Sequence, residues 1–116
     1  MTAARVHSPE ALWAELWVSL ASLLSSYTAA HGLSSGRQAI IEQGEEKIWV
    51  CHGHKWLRLE RSNAAVTWMR ENGSRGSLEL TEHGSLRGPA GEEALDLAAE
   101  FWARELMQEH TKDLTR

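Results

Sequence analysis

Between Arg37 and Glu82, apolar and polar side chains alternate along the chain, and short segments containing Gly or Asn interrupt the alternation. Alternation with period two is typical of strands that bury one side of a sheet. The interruptions at Gly44, Gly53 and Asn63 predict tight hairpin turns, because Gly and Asn adopt positive φ easily. The stretch therefore predicts five antiparallel strands that follow one another as a meander.

The predicted turns also set which residues pair across neighbouring strands. Each of three two-residue turns, placed at Gly44-Glu45, Gly53-His54 and Ser62-Asn63, keeps the apolar residues on the same side of the sheet. The pairs that these turns predict are Ile41 with Ile48, Val50 with Leu57, Trp49 with Arg58, Cys51 with Trp56, and Leu59 with Val66. This agreement between independent turns supports the sheet, since a slip of one residue would reverse every side chain.

The fourth turn allows two registers. A two-residue turn at Asn72-Gly73 would place Glu79 on the apolar side of the sheet. A three-residue loop, Asn72–Ser74, instead places Leu78 beside Trp68 on that side and keeps Leu80 there too. We favour the three-residue loop, because the other register would bury a carboxylate.

A helix is predicted before the strands. Ser8 is a good N-cap, Pro9 suits the first helical position, and Gly32 is a typical terminator. The apolar residues between them recur at steps of three and four. They are Leu12, Trp13, Leu16, Trp17, Leu20, Leu23, Leu24 and Tyr27.

A second helix is predicted after the strands, beyond a loop through Gly88-Pro89. We expect it to begin near Gly91, because Glu92 and Glu93 suit its positive end and His110 and Lys112 its negative end. Its predicted inner face consists of Leu95, Ala98, Ala99, Trp102 and Leu106, and Leu97 and Phe101 widen it.

The predicted fold class is α+β, a two-layer sandwich of order α-β-β-β-β-β-α with both helices on one face of an antiparallel five-strand meander. The 116 residues are expected to form one domain with an ordered core over residues 8–110. This helix–meander–helix order resembles the frataxin-type sandwich, which also packs two helices on one side of an antiparallel sheet. The resemblance implies the fold alone, because Glu10, Glu15 and Glu42 are too few for the acidic ridge of that family.

The alternation divides the sheet into an inner face beneath the helices and an outer face with no helix left to cover it. The predicted inner residues are Ala39, Ile41, Ile48, Val50, Leu57, Leu59, Val66, Trp68, Leu78 and Leu80. The predicted outer face is apolar at its centre, with charged residues around it. We define the outer patch as Ile40, Trp49, Cys51, Trp56, Arg58 and Met69, and predict that it is an interface, since Trp, Met and Arg are enriched at the centres of interfaces.

Two other interpretations concern the six tryptophans, which stand against one Phe and one Tyr. In the first, Arg58 stacks on Trp49 and the outer aromatic residues only stiffen a solvated sheet. In the second, a pocket between the helices and the sheet binds a small molecule. The residues that would line this pocket are Trp13, Trp17, Trp68 and Trp102, and close packing without a void is the alternative for them.

Composition and charge narrow the classes of function. The net charge is −4 and the basic residues form no stripe, so we expect no nucleic-acid partner. A single cysteine excludes an intrachain disulfide, and we expect no signal peptide and no membrane span. The cytoplasm is the expected compartment.

No cofactor, metal or catalytic residue is predicted. The segment Cys51-His52-Gly53-His54 contains zinc-ligand residue types, but consecutive residues in a strand point to opposite sides. The function that we predict is a non-enzymatic protein-interaction module or homodimeric adaptor that uses the outer patch. The alternative is a small-molecule-binding domain or minor enzyme.

Overall fold

The computed structural model describes residues 9–35 and 38–108. Its elements are α1 (Pro9–Ser35), β1 (Ile40–Gln43), β2 (Lys47–His52), β3 (Lys55–Ser62), β4 (Ala65–Arg70), β5 (Arg75–Leu80), β6 (Ser85–Gly88), β7 (Gly91–Ala94) and α2 (Leu95–Met107). The strands form one antiparallel sheet in chain order. The predicted two-layer α+β meander sandwich is confirmed, with two more strands than expected.

The register of the β2–β3 hairpin matches the prediction, with Val50 opposite Leu57 and Trp49 opposite Arg58. The other three predicted hairpins are each displaced by two residues, so that Ile41 lies opposite Val50. A displacement of two residues leaves every side chain on its predicted face, because the side-chain period of a strand is two. The predicted assignment of side chains to the inner and outer faces is therefore correct even where the predicted strand partners are wrong.

Tertiary contacts explain the displaced β1–β2 turn. The turn keeps two central residues but lies one position later, at Glu45-Glu46, with the Gly44 N–H bonded to the Lys47 carbonyl at 2.8 Å. Its carbonyl groups face other elements. The indole N–H of Trp17 donates to the Gly44 carbonyl at 3.1 Å, and the backbone N–H of Arg61 donates to the Glu46 carbonyl at 2.9 Å. These long-range hydrogen bonds cannot be inferred from the local turn sequence.

The displaced β3–β4 turn has a local cause. Asn63 adopts a φ of 56°, a backbone conformation that Asn tolerates better than Ser. The turn therefore takes Asn63-Ala64 as its central pair, and Ser62 lies opposite Ala65 in the strands. The β4–β5 loop is three residues long, as we predicted, but it lies one position earlier in the sequence. The Arg70 N–H is bonded to the Ser74 carbonyl across it.

Strands β6 and β7 correct the prediction for Gly84 to Ala94. We assigned these residues to a loop and to the first turn of the second helix, but they form a hairpin around Pro89-Ala90. Helix α2 begins only at Leu95, whose N–H donates to the Gly84 carbonyl at 3.2 Å. Glu92 and Glu93 are therefore strand residues, and their charge alone misled the prediction of the helix start.

Three further predictions for the helices need correction. Helix α1 continues through Gly32, which is buried, so Gly32 does not terminate it. Leu97 and Phe101 do not widen the inner face of α2, since they are 56% and 47% exposed. Ser8, His110 and Lys112 lie outside the described residues.

The hydrophobic core lies between the helices and the inner face of the sheet, as predicted. The sheet contributes seven buried side chains to it: Ile48, Val50, Leu57, Leu59, Val66, Leu80 and Leu86. The predicted inner residues of α2, together with Trp17, Leu20 and Leu24 of α1, are buried against them. Within the described residues, no helix combines the length and the apolarity that crossing a membrane requires.

Two glycines on the inner face make room for larger neighbours. A Cβ on Gly76 would lie 2.8 Å from three atoms of the Trp68 indole, and one on Gly88 would overlap Leu78 Cδ2. Contacts this short do not occur between real atoms, so Gly76 leaves the space that the rigid Trp68 ring occupies across the neighbouring strand. A side chain at position 88 would require the flexible end of Leu78 to shift.

Candidate functional site

The outer patch is built on strands β2 and β3. Trp49 pairs with Arg58 and Cys51 pairs with Trp56, which makes Trp49 and Trp56 diagonal neighbours on the same face. Their rings are stacked, with centroids 4.9 Å apart and planes inclined by 17°. Both side chains are partly exposed. Strand register therefore places the two indoles together on the side of the sheet that faces away from the helices.

Arg58 holds one end of the stacked pair. Its guanidinium lies over the Trp56 ring, 6.0 Å from the centroid, and its Nε lies 3.5 Å from a carboxylate oxygen of Glu60. The alternative interpretation had Trp49 as the ring beneath this guanidinium, but Arg58 lies over Trp56, and Trp49 stacks on that indole. The cation–π contact and the ion pair orient Arg58 along the patch.

The remaining members of the outer patch lie on flanking strands. Ile40 of β1 is opposite Cys51 and is 65% exposed, and Met69 of β4 is opposite Arg58. The Sδ atom of Met69 lies 3.9 Å from a guanidinium nitrogen of Arg58. The six residues that we singled out therefore lie on four adjacent strands with the same side-chain parity, and whether they form an interface stays a prediction.

Cys51 and His52 point to opposite sides of β2. Cys51 is partly exposed on the outer face, whereas His52 is only 6% exposed on the inner face. The Nδ1 atom of His52 lies 3.2 Å from the Leu106 carbonyl. This buried imidazole therefore contacts the C-terminal end of α2 and joins it to β2. Among residues 9–35 and 38–108, no group of three or more His, Cys, Asp or Glu side chains is arranged to hold a metal ion.

The four tryptophans of the predicted pocket lie in the core or against it. Trp17 and Trp102 are buried, and Trp13 and Trp68 are partly buried and pack against the core. Trp102 lines a cavity of about 250 Å³ together with Lys55, Arg70 and Glu105. Trp17 and Trp68 line two other depressions, at different places on the surface.

The cavity beside Trp102 offers little capacity for a ligand. Its volume is slightly below the roughly 300–1,000 Å³ of ligand pockets. Lys55 Nζ donates to the Glu105 carbonyl at 2.8 Å, and Arg70 Nη1 lies 2.6 Å from the Glu105 carboxylate. The charged groups of the cavity are thus already paired with each other or hydrogen-bonded to the end of α2. The small-molecule alternative stays a prediction that this cavity supports only weakly.

A cluster of hydroxyl and carboxylate groups near the start of α2 was not foreseen. The hydroxyls of Thr81 and Ser85 are 2.6 Å apart and buried, and Ser85 donates to the Glu92 carboxylate. This hydrogen bond is the main cause that lowers the pKa of Glu92, and the charges of His83 and Arg87 lower it further. The cluster joins the residue that follows β5 to β6 and β7. Ser85 and Glu92 escaped detection because we assigned them to a loop and a helix.

The lowered pKa of Glu92 predicts a loss of stability in acid. Since the folded-state pKa lies below the usual value of about 4.5, the unfolded chain takes up a proton first as the pH falls. The contribution of Glu92 to the free energy of unfolding is therefore complete above about pH 4.5, and it is lost as the pH falls through the folded-state pKa. The variant Ser85→Ala is expected to raise the pKa of Glu92 and to weaken this acid dependence.

Carboxyl-carbon NMR titration of Glu92, with urea unfolding at several pH values, measures both effects. Thr81→Val is the matched control, because the Thr81 hydroxyl lies 3.4 Å from the carboxylate and is the smallest of the named causes. It is expected to raise the pKa of Glu92 less than Ser85→Ala does. An unchanged pKa in Ser85→Ala would contradict the assignment of this hydrogen bond as the main cause.

No protein-family model, curated protein or solved structure shows significant similarity to this chain.

Proposed function

We propose that this chain is a protein-interaction module that forms a homodimer through its outer patch and catalyses no reaction. The observation that carries the proposal is the stacked Trp49–Trp56 pair on the sheet face that neither helix covers. Aromatic side chains at the centre of a patch supply most of the binding energy in many interfaces. Because these two rings are already stacked, less side-chain freedom is lost when a partner covers them.

The charges around the patch favour a second copy of the chain as the partner. Lys47 and Arg58 contribute positive charge to this face, and Glu42 and Glu60 contribute negative charge. A two-fold axis brings the same surface of two copies together, so that basic residues of one can meet acidic residues of the other. A surface with both positive and negative charges around an apolar centre can thus pair with the same surface of a second copy.

The size of the interface sets a requirement on the rest of the outer face. Stable interfaces bury about 800 Å² on each partner, which is more than two indoles supply. The exposed side chain of Ile40 on β1 and the partly buried Met69 on β4 extend the apolar area over four strands. The proposed dimer therefore covers the outer surface of β1 to β4 as a whole.

Two further parts of the proposal concern compartment and partners. We place the module in the cytoplasm, because a chain with one cysteine does not depend on an oxidising environment. We propose no nucleic-acid partner, since an exposed aromatic sheet that binds RNA or single-stranded DNA usually lies in a positively charged groove, and this chain carries a net charge of −4.

Sedimentation velocity of the full chain tests the proposal. The expected result is a species with twice the 13.0 kDa mass of the chain, in concentration-dependent exchange with the monomer. Quenching of tryptophan fluorescence by acrylamide is expected to decrease as the dimer forms, because Trp49 and Trp56 become covered. A monomer at every concentration up to roughly 1 mM, a limit that corresponds to about 4 kcal/mol of binding free energy, would reject the homodimer.

A further inference from the structure

A second surface of the molecule, separate from the outer patch, is suited to an extended peptide. Strand β1 forms one edge of the sheet, and among the described residues it pairs with β2 alone. In an antiparallel pair, every second residue of an edge strand directs its N–H and C=O groups away from its neighbour. Such a row of donors and acceptors is complementary to the backbone of another extended segment.

A groove lies alongside this free edge. It has a volume of about 450 Å³ and is enclosed by the C-terminal half of α1 and by the start of β1. Its lining residues are Ser25, Thr28, Ala29, Gly32, Leu33, Gln38, Ala39 and Ile41. Four of the five helix residues are small and recur at steps of three and four, so they lie on one side of α1. Inward-facing side chains of an added strand therefore have room between α1 and the sheet.

The chemistry of the lining indicates which peptide fits. None of the eight lining side chains is charged, and Ala39 and Ile41 form an apolar floor. Leu33 adds an apolar rim, with 84% of its side chain exposed. Next to these eight described residues, a charged side chain would lose its hydration without gaining a partner of opposite charge. Apolar side chains at alternate positions, with the backbone paired to β1, match both the groove and the edge.

We propose that the groove between α1 and β1 binds an uncharged, extended segment of a partner protein, which adds to the sheet as a strand next to β1. Affinity arises from backbone hydrogen bonds to the free edge, and selectivity from alternate side chains that enter the groove. The site does not depend on the homodimer, because it uses the edge and the inner side of β1 whereas the outer patch uses the opposite face.

The test uses a synthetic peptide of alternating threonine and valine, capped at both ends and labelled with fluorescein. Fluorescence anisotropy measures its binding to the full chain, and amide NMR shifts locate it. Binding is expected to saturate and to shift the resonances of residues 39–43. The same peptide with N-methylated backbone amides lacks the donors, so it is expected to bind at least about tenfold more weakly, which is 1.4 kcal/mol.

Two matched variants locate the site on the protein. Ala29→Arg fills the groove and places a charge in it, so it is expected to weaken peptide binding at least about tenfold. Ala30→Arg adds the same side chain to the next exposed position of α1, which does not line the groove. The Ala30→Arg variant is expected to bind the peptide with a dissociation constant within about twofold of the wild-type value. Circular dichroism establishes that both variants are folded.

Three results would overturn the proposal. One is that the threonine–valine peptide fails to saturate wild type below roughly 1 mM. Another is equal binding by Ala29→Arg and Ala30→Arg. The third is that Ala29→Arg converts a wild-type dimer into a monomer, because the edge would then hold a second copy of this chain. Sedimentation of wild type tests the homodimer separately, so either proposal can fail without the other.

Discussion

The variant Trp49→Glu/Trp56→Glu is expected to sediment as a monomer at concentrations at which the wild-type chain is a dimer. Each substitution removes an indole from the centre of the outer patch and puts a carboxylate in its place. In the dimer this carboxylate would lose its hydration without a partner. Truncation of a central aromatic residue costs about 2 kcal/mol or more in binding, so the double variant is expected to weaken dimerisation at least about 100-fold.

The fold should tolerate these two substitutions. Trp49 and Trp56 lie on the outer face and are not members of the hydrophobic core. Their removal costs the stacking contact, worth roughly 0.5–1.5 kcal/mol, and leaves the inner face unchanged. We therefore expect a circular dichroism spectrum like that of wild type, with a modest decrease in the free energy of unfolding.

The matched control is Ser77→Glu. Ser77 lies on β5 opposite Thr67, so the control adds a carboxylate to the same face but at a distance from the stacked indoles. Its dimer dissociation constant is expected to lie within about threefold of the wild-type value, as is usual for substitutions outside the central residues of an interface. If Ser77→Glu and the double tryptophan variant weakened dimerisation equally, the effect would reflect charge on the face in general. The role of the indoles would then be refuted.

The variant Trp17→Ala is expected to lose about 3–5 kcal/mol of unfolding free energy, the usual cost of removing a buried Trp or Phe side chain. Trp17 is 1% exposed and belongs to the core. Its indole N–H donates to the Gly44 carbonyl, and the Arg61 guanidinium lies over its ring at 5.9 Å from the centroid. Small domains have only about 5–15 kcal/mol of stability, so this single change brings the chain close to unfolding.

Urea unfolding followed by circular dichroism measures the loss. Trp17→Phe keeps an aromatic ring but lacks the N–H donor, so we expect it to lose about 1–2 kcal/mol. Val18→Ala is the control on the same helix, since Val18 is 51% exposed; a change below about 0.5 kcal/mol is expected there. A loss below about 1 kcal/mol for Trp17→Ala would contradict the close packing of the core around this ring.

The faces of the sheet were predictable because side-chain parity needs only the alternation of apolar and polar residues. Leu59 was paired with Val66 in the prediction and lies opposite Trp68 in the structure, yet both partners are inner residues. Trp49 and Trp56 were placed together correctly because the predicted β2–β3 register is the observed one. The partners of β1 could not be predicted, because hydrogen bonds from Trp17 and Arg61 to the β1–β2 turn fix the position of that turn.

The last two strands were missed for a different reason. The segment Ser85–Ala94 has only one large apolar residue before its final alanine, Leu86, so no alternation marks it as strand. Its strands form because β5 offers a free edge on which β6 pairs, with Leu80 opposite Leu86. The acidic residues Glu92 and Glu93 are compatible with either a helix start or an exposed edge strand. Local charge cannot distinguish these two environments.

The amino-acid sequence by itself determined the class of the fold, the existence of two helices and five of the strands, and the side of the sheet on which each side chain of those five strands lies. These features depend on periodicity, which the sequence contains in full. Only the tertiary structure decided the position of the β1–β2 turn, the β6–β7 hairpin, the hydroxyl–carboxylate cluster at Ser85 and the groove beside β1. Each of these depends on contacts between residues far apart in the chain or on a sheet edge that exists only after the other strands have assembled.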